Sequence, residues 1–193
     1  SLDDMVTVSE NAMSYGGSTM FLETGEQLTV NDMLKGIAVA SANDGCVAMA
    51  EHLAGSESAF VDMMNEKAKE IGATNTHFVN CHGLHDDDHY TTAYDLYLII
   101  KEFSKHDLAY VIDSYDFTYT DADGNEQVVT IEPTNEFLTG EVNFPNGYSI
   151  GSWKTGTTEE ALNCLIMELK NDSTGEEYIA LVAGADGKEA LYS

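Results

Sequence analysis

Two short runs in this sequence hold residue types that could act together on a peptide. Lys154-Thr155-Gly156 follows a short extended stretch and precedes Thr157-Thr158. A lysine on a strand supplies positive potential for a carboxylate, and the threonine hydroxyl beside it can bond that carboxylate directly. The glycine lets a ligand lie close along a strand edge. Ser41-Ala42-Asn43 sits between two expected helices, with Asp44 opening the second. A hydroxyl at the edge of a site can relay a proton. An amide side chain can hold a peptide backbone through a donor and an acceptor at once. Taken singly, a Lys-Thr-Gly triplet is a common string and Ser-Ala-Asn is a helix cap.

Three other groupings hold residue types that could do chemistry. His77, Cys81, His82, His85 and His89 fall close together beside Asp86, Asp87 and Asp88. Zinc takes such ligands, but structural zinc shows tighter paired spacings, so the stretch reads as a polar loop and no metal is assigned. The acidic turn Asp121-Ala122-Asp123-Gly124-Asn125-Glu126 begins like a calcium loop, and Glu132 stands where its last ligand would. Its glycine comes too early for the sharp turn, and Val129 occupies a ligand position, so a hairpin tip is the reading. Gly147-Tyr148-Ser149-Ile150-Gly151-Ser152-Trp153-Lys154-Thr155 superficially resembles a phosphate loop, but Trp153 stands where the glycine before the lysine is needed.

These residues must be positioned by elements that the sequence also announces. Thr29, with Asp32 three residues on, caps a helix over Val30–Ala40 whose apolar side is Val30, Met33, Leu34, Ile37 and Ala38. A second helix runs from about Asp44 to Leu53 and stops at Gly55. A third follows Ser56 with Phe60, Met63, Met64, Ala68 and Ile71 at helical spacing. A fourth begins at Thr92, with Leu96, Ile99, Ile100 and Phe103 as its apolar face. Strands are expected at Asp116–Thr120 and Gln127–Ile131, and again at Leu162–Leu169 and Tyr178–Ala183. The last two are almost continuously apolar, which predicts cover on both faces. The fold class is α/β in the α+β layered sense: a mainly helical part over 1–114, then a hairpin and antiparallel sheet over 115–193.

Composition narrows the partners. Of 193 residues, 34 are acidic and 8 are lysine, with no arginine, giving a formal net charge of −26. That field excludes nucleic acid and anionic membrane as general partners. With 43% apolar residues the chain can build a core. Cys46, Cys81 and Cys164 are an odd number at irregular spacing and read as free thiols.

The two triplets, about 110 residues apart and in this order, match two of the three elements of penicillin-recognising serine enzymes. The likeness extends further. Met20-Phe21-Leu22-Glu23-Thr24-Gly25-Glu26, Leu34-Lys35-Gly36-Ile37, Ser41 through Ala50, Asn75-Thr76-His77-Phe78, His82-Gly83-Leu84, His89 through Asp95, and Thr134-Asn135 with Leu138 all follow the same pattern. The chain resembles the low-molecular-mass penicillin-binding proteins that are serine-type D-alanyl-D-alanine carboxypeptidases. Resemblance is dense over 5–106, thins over 107–150 and returns at Lys154.

That resemblance implies a β-lactamase/transpeptidase-like fold and a hydrolase of the cell envelope or the secreted space. Such an enzyme trims the terminal D-alanine from peptidoglycan stem peptides ending in D-Ala-D-Ala, without cofactor. It assigns Ser41 and Lys154 to catalysis, and Asn43, Lys154, Thr155, Gly156, Thr157 and Lys188 to substrate binding. Lys188 stands where the family carries an arginine that meets the substrate carboxylate, and it lacks the bidentate fork. The family's nucleophile and base come from an S-x-x-K motif, and no serine here has a lysine three residues on. The expectation is therefore a single incomplete domain over 1–193, cut at both ends and lacking the first two sheet strands. It would be inactive alone, with β-lactams bound only by the intact protein. Ser41 Oγ should come within reach of Lys154 Nζ, and the strand Tyr178–Ala183 should be an open edge able to self-associate. The alternatives are a non-catalytic wall-peptide or partner-binding relative, a serine β-lactamase relative, and a metal-binding module on the histidine loop.

Overall fold

A computed structural model describes residues 1–106, 115–121 and 123–193. Its strands and helices form two compact units that interleave along the chain. The first holds Ser1–Met63, Val79–Gly83 and the described residues of 112–134. The second holds Met64–Phe78, the described residues of 84–111, and Asn135–Ser193.

In the first unit, β1 (Met5–Thr7) pairs antiparallel with β2 (Gln27–Thr29), and β2 meets β3 (Tyr115–Thr120) at Gln27 and Thr120. β3 and β4 (Glu126–Ile131) form the expected hairpin, with Tyr115 opposite Ile131 and Thr120 opposite Glu126. At its tip the Asp121 carboxylate accepts from the backbone N–H groups of Asp123 and Asn125, the turn chemistry of a hairpin. Ala122, within that turn, lies outside the described residues.

The helices of this unit start where their caps place them. α1 (Glu10–Met13) is capped by Ser9. α2 (Val30–Ala40) is capped by Thr29, whose hydroxyl accepts from Asp32 N at 3.1 Å and donates to the Asp32 carboxylate at 2.7 Å. α3 (Asn43–Ala54) ends on Gly55 in the left-handed region, as expected. The buried stripe of α2 differs from the sequence reading. It runs through Met33, Gly36 and Val39, while Leu34 and Ile37 are half-buried. The reason is Gly36: a Cβ there would lie 2.0 Å from Met20 Sδ, so a missing side chain forms the centre of the contact.

α4 (Glu57–Glu70) runs from the first unit into the second. Val61 and Ala68 are its buried residues, and Met63 is half-exposed rather than part of the apolar face. α5 (Ala93–Phe103) is capped by Thr92 as expected, and buries Asp95 and Ile100. The Asp95 carboxylate accepts from Asn75 N at 2.7 Å and Thr76 Oγ1 at 2.8 Å, which ties the preceding loop to the helix start.

The second unit is built on a three-stranded antiparallel sheet in the order β5 (Tyr148–Thr158), β6 (Leu162–Asn171), β7 (Glu177–Ala185). One face carries Trp153, Leu165, Met167 and Ala185, closed over by α6 (Glu136–Thr139) and α7 (Lys188–Leu191) through Phe137, Leu138, Leu191 and Tyr192. The expected cover on both faces is not found on β7, where Val182, Ala183 and Gly184 are exposed. β7 pairs with β6 alone among the described strands, so it forms an edge.

Glu26, a buried residue of the first unit, works against the fold. It is 1% exposed, and neither carboxylate oxygen has a well-formed hydrogen bond among the described residues. Burial, with Glu23, Asp121 and Asp44 adding negative charge, pushes its carboxyl above the usual range. A raised acid in the folded state favours the protonated form. Its contribution is therefore complete below the ordinary glutamate value and is lost as pH rises through the raised one. Glu26→Gln should shift the urea midpoint upward at about pH 8, with the gain shrinking toward about pH 4. A gain that is equal at both pH values contradicts this.

Candidate active site

The first unit positions Ser41 and Asn43 by a two-residue join between helices. Ser41 caps the C-terminus of α2 at φ 61, ψ 36, a left-handed conformation that a serine adopts at a cost of about 1–2 kcal/mol. Strain of this kind concentrates where a side chain must be aimed. Asn43 opens α3 and is 6% exposed. Its backbone N–H donates to Ser18 O at 2.8 Å, and its Nδ2 donates to Gly16 O at 2.8 Å. Oδ1 makes no hydrogen bond among the described residues and remains an acceptor for a ligand.

Asp44 holds the facing segment. Its carboxylate accepts from Met20 N at 3.1 Å, Leu22 N at 3.1 Å and Gly45 N at 2.8 Å, and it is 1% exposed. The sequence marked Asp44 only as a helix start. Its partners Met20 and Leu22 lie 24 and 22 residues away and leave no local signal.

The second unit positions Lys154, Thr155, Gly156 and Thr157 on β5. This strand is longer than the short extended stretch the sequence announced. Register alternation sends Trp153 into the core, so Lys154 lies on the opposite face. A register shift between Ile150 and Trp153 sets that alternation. Lys154 stands opposite Ile166, Thr155 opposite Leu165, Gly156 opposite Cys164 and Thr157 opposite Asn163. Lys154 Nζ donates to Thr155 O at 2.7 Å, and Thr157 Oγ1 to Asn163 Oδ1 at 3.3 Å.

β5 pairs with β6 alone among the described strands, so its outer edge carries no strand. Among the described residues, a Cβ at Gly156 would meet nothing within 4 Å. Nothing in the fold around it demands a glycine there, and the space is what an incoming backbone would use.

Lys188, expected at the substrate, has its ammonium held by the Glu136 carboxylate of α6. That pair keeps the Lys188 ammonium above its ordinary pKa. Sequence reasoning missed Glu136, which has no spacing relation to Lys188. A cleft of about 630 Å³ in the second unit is lined by Lys101, Lys105 and Lys170 together with Glu168 and Glu177, but by none of Lys154 to Thr157. Its mixed charge and its lining set it apart from the candidate site.

The histidine loop disperses. His77 Nδ1 meets Asp88 O at 2.6 Å and its ring packs on Tyr90. His89 packs on Phe78, and His85 lies 3.4 Å from Asp87. His82 is buried against Tyr15 in the first unit. Among the described residues no three of the metal-binding types gather at one point.

Comparison with known proteins decides the family. The model of the D-alanyl-D-alanine carboxypeptidase family matches residues 1–187. The chain belongs to this family. It is similar to the D-alanyl-D-alanine carboxypeptidase DacF of Bacillus subtilis, at 42% identity over 186 residues, covering 95% of this chain and 45% of the relative. It is similar to DacC of Escherichia coli, at 35% identity over 174 residues, covering 83% of this chain and 39% of the relative. The chain thus spans less than half the length of these carboxypeptidases. Among solved structures, the carboxypeptidase DacD of Francisella tularensis superposes with a TM-score of 0.85 at 28% identity, over 98% of this chain and 55% of that one. The Streptomyces K15 DD-transpeptidase shares the fold, with a TM-score of 0.86 at 24% identity over 98% of this chain and 75% of that one. The α/β fold expected from the resemblance is therefore the fold of the carboxypeptidase family.

Proposed function

We propose that this chain carries the peptide-recognising part of a D-alanyl-D-alanine carboxypeptidase. The observation that carries the reading is Lys154-Thr155-Gly156 on an outer strand, with open space at Gly156. A stem peptide would lie along β5 as an added strand and bond the strand edge through its backbone. Its terminal carboxylate would meet the Lys154 ammonium and the hydroxyls of Thr155 and Thr157. Asn43 Oδ1 would accept a peptide N–H, and Ser41 would relay a proton to the departing D-alanine amine. Acyl transfer needs a serine with its activating base, and no serine of this chain has a lysine three residues on. We therefore assign recognition to these 193 residues and no acyl transfer to them alone.

Calorimetric titration with an N-acyl peptide ending in D-Ala-D-Ala tests this reading. Saturable binding is expected, together with loss of affinity on amidating the terminal carboxylate. No D-alanine should be released, and no adduct should form with a penicillin. Equal affinity for the free and amidated peptides would contradict the assignment of Lys154. A covalent penicillin adduct would contradict the assignment of recognition without acylation.

A further inference from the structure

We infer that Tyr15, held by Glu57, is a positioning residue that fixes the orientation of the Asn43 amide through the Gly16 carbonyl. The inference deepens the proposed function and rests on it for its consequence, while its geometry stands within the first unit alone.

Asn43 can present its side chain in two ways that differ by exchange of oxygen and nitrogen. The Gly16 carbonyl removes the choice. A carbonyl only accepts, so the amide nitrogen must face it, as the 2.8 Å contact shows. The acceptor Oδ1 is then turned the other way, with one N–H left over. Asn43 therefore presents an acceptor and a donor to a peptide only while the Gly16 carbonyl stays in place.

Gly16 does not hold itself. It lies in the turn-like Tyr15-Gly16-Gly17-Ser18, with Gly17 at φ 84, and a Cβ at Gly16 would touch nothing. The neighbouring side chain supplies the anchor. Tyr15 Oη donates to Glu57 Oε2 at 2.7 Å, and the Tyr15 ring packs on His82 with centroids 4.9 Å apart. Glu57 Oε1 in turn accepts from Cys81 N at 3.2 Å and lies 3.4 Å from His82 Nε2. The chain before Tyr15 is pinned separately, since Ser9 Oγ and Asn11 Nδ2 both donate to Glu51 of α3 at 2.6 and 2.8 Å.

The charges agree with this arrangement. Burial pushes the Glu57 carboxyl up, but the hydrogen bonds from Tyr15 and Cys81, with His82 beside it, hold it below its ordinary range. The same hydrogen bond, with burial, pushes the Tyr15 hydroxyl up to about 12. Tyr15 therefore stays a donor and Glu57 an acceptor throughout the neutral range.

The test reads the Asn43 side-chain amide by NMR in the full chain, without ligand. Tyr15→Phe removes one hydroxyl and leaves the ring on His82. It is expected to move the Asn43 side-chain resonances and to speed their exchange with water by about fivefold. Glu57→Gln keeps an acceptor for Tyr15 and should give a shift in the same direction but smaller, which also serves if Tyr15→Phe fails to fold. Peptide affinity should fall in the same order. Asn43 resonances and exchange left unchanged in a folded variant would overturn the inference. If the wild-type chain binds no peptide, the proposed function fails while the resonance shift still decides the positioning role.

Discussion

Asp44→Ala is expected to cost about 3–5 kcal/mol of folding stability, because it orphans several buried backbone donors at once. Met20 N, Leu22 N and Gly45 N all end on this carboxylate, which is 1% exposed. Each buried N–H left without a partner costs about 1–3 kcal/mol. Against a typical total of about 5–15 kcal/mol, that loss is a large share. The damage also reaches the site, because the segment tied down by Asp44 contains Ser18, whose carbonyl receives Asn43 N. Urea unfolding of the variant is the measurement. A loss under about 1 kcal/mol would mean that the segment finds other acceptors. Asp44→Asn, which retains one acceptor oxygen, should fall between alanine and the wild type.

Lys154→Gln is expected to weaken binding of a peptide with a free terminal carboxylate by about 10- to 100-fold, the range for hydrogen bonds to charged groups. Affinity for the same peptide carrying a terminal amide should change little. The asymmetry follows from the chemistry assigned to the ammonium, which serves one group of the ligand. The fold should tolerate the change, since Lys154 points away from the Trp153 core face. Titration of both peptides against both proteins gives the coupling directly. Equal loss for the two peptides would show that Lys154 supports the strand instead of the carboxylate.

What the sequence made legible was local. The caps at Thr29 and Thr92 and the stop at Gly55 act within one helical turn, so α2, α3 and α5 begin or end where their caps and stops place them. The hairpin at Asp121 is local in the same way. β5 was underestimated because Gly151, Ser152, Gly156 and the threonines beside it dilute its apolar pattern, and the register shift breaks its alternation. The buried stripe of α2 was misread because its centre is a glycine filled by Met20. The site residues were visible as two triplets, since their types carry the chemistry. Their supports were not: Gly16 lies 27 residues from Asn43, and Tyr15 lies 42 from Glu57. Such contacts exist only after folding and have no spacing rule.

The central claim is that Lys154-Thr155-Gly156, on the open edge of β5, receives the carboxylate end of a peptide. The most direct test is a residue-resolved NMR titration of the labelled chain with an N-acyl peptide ending in D-Ala-D-Ala. The signals of Thr155 and Gly156 should move together along one saturation curve, and the same peptide with a terminal amide should move them far more weakly. Equal shifts with the free and the amidated peptide, or none with either, would contradict it.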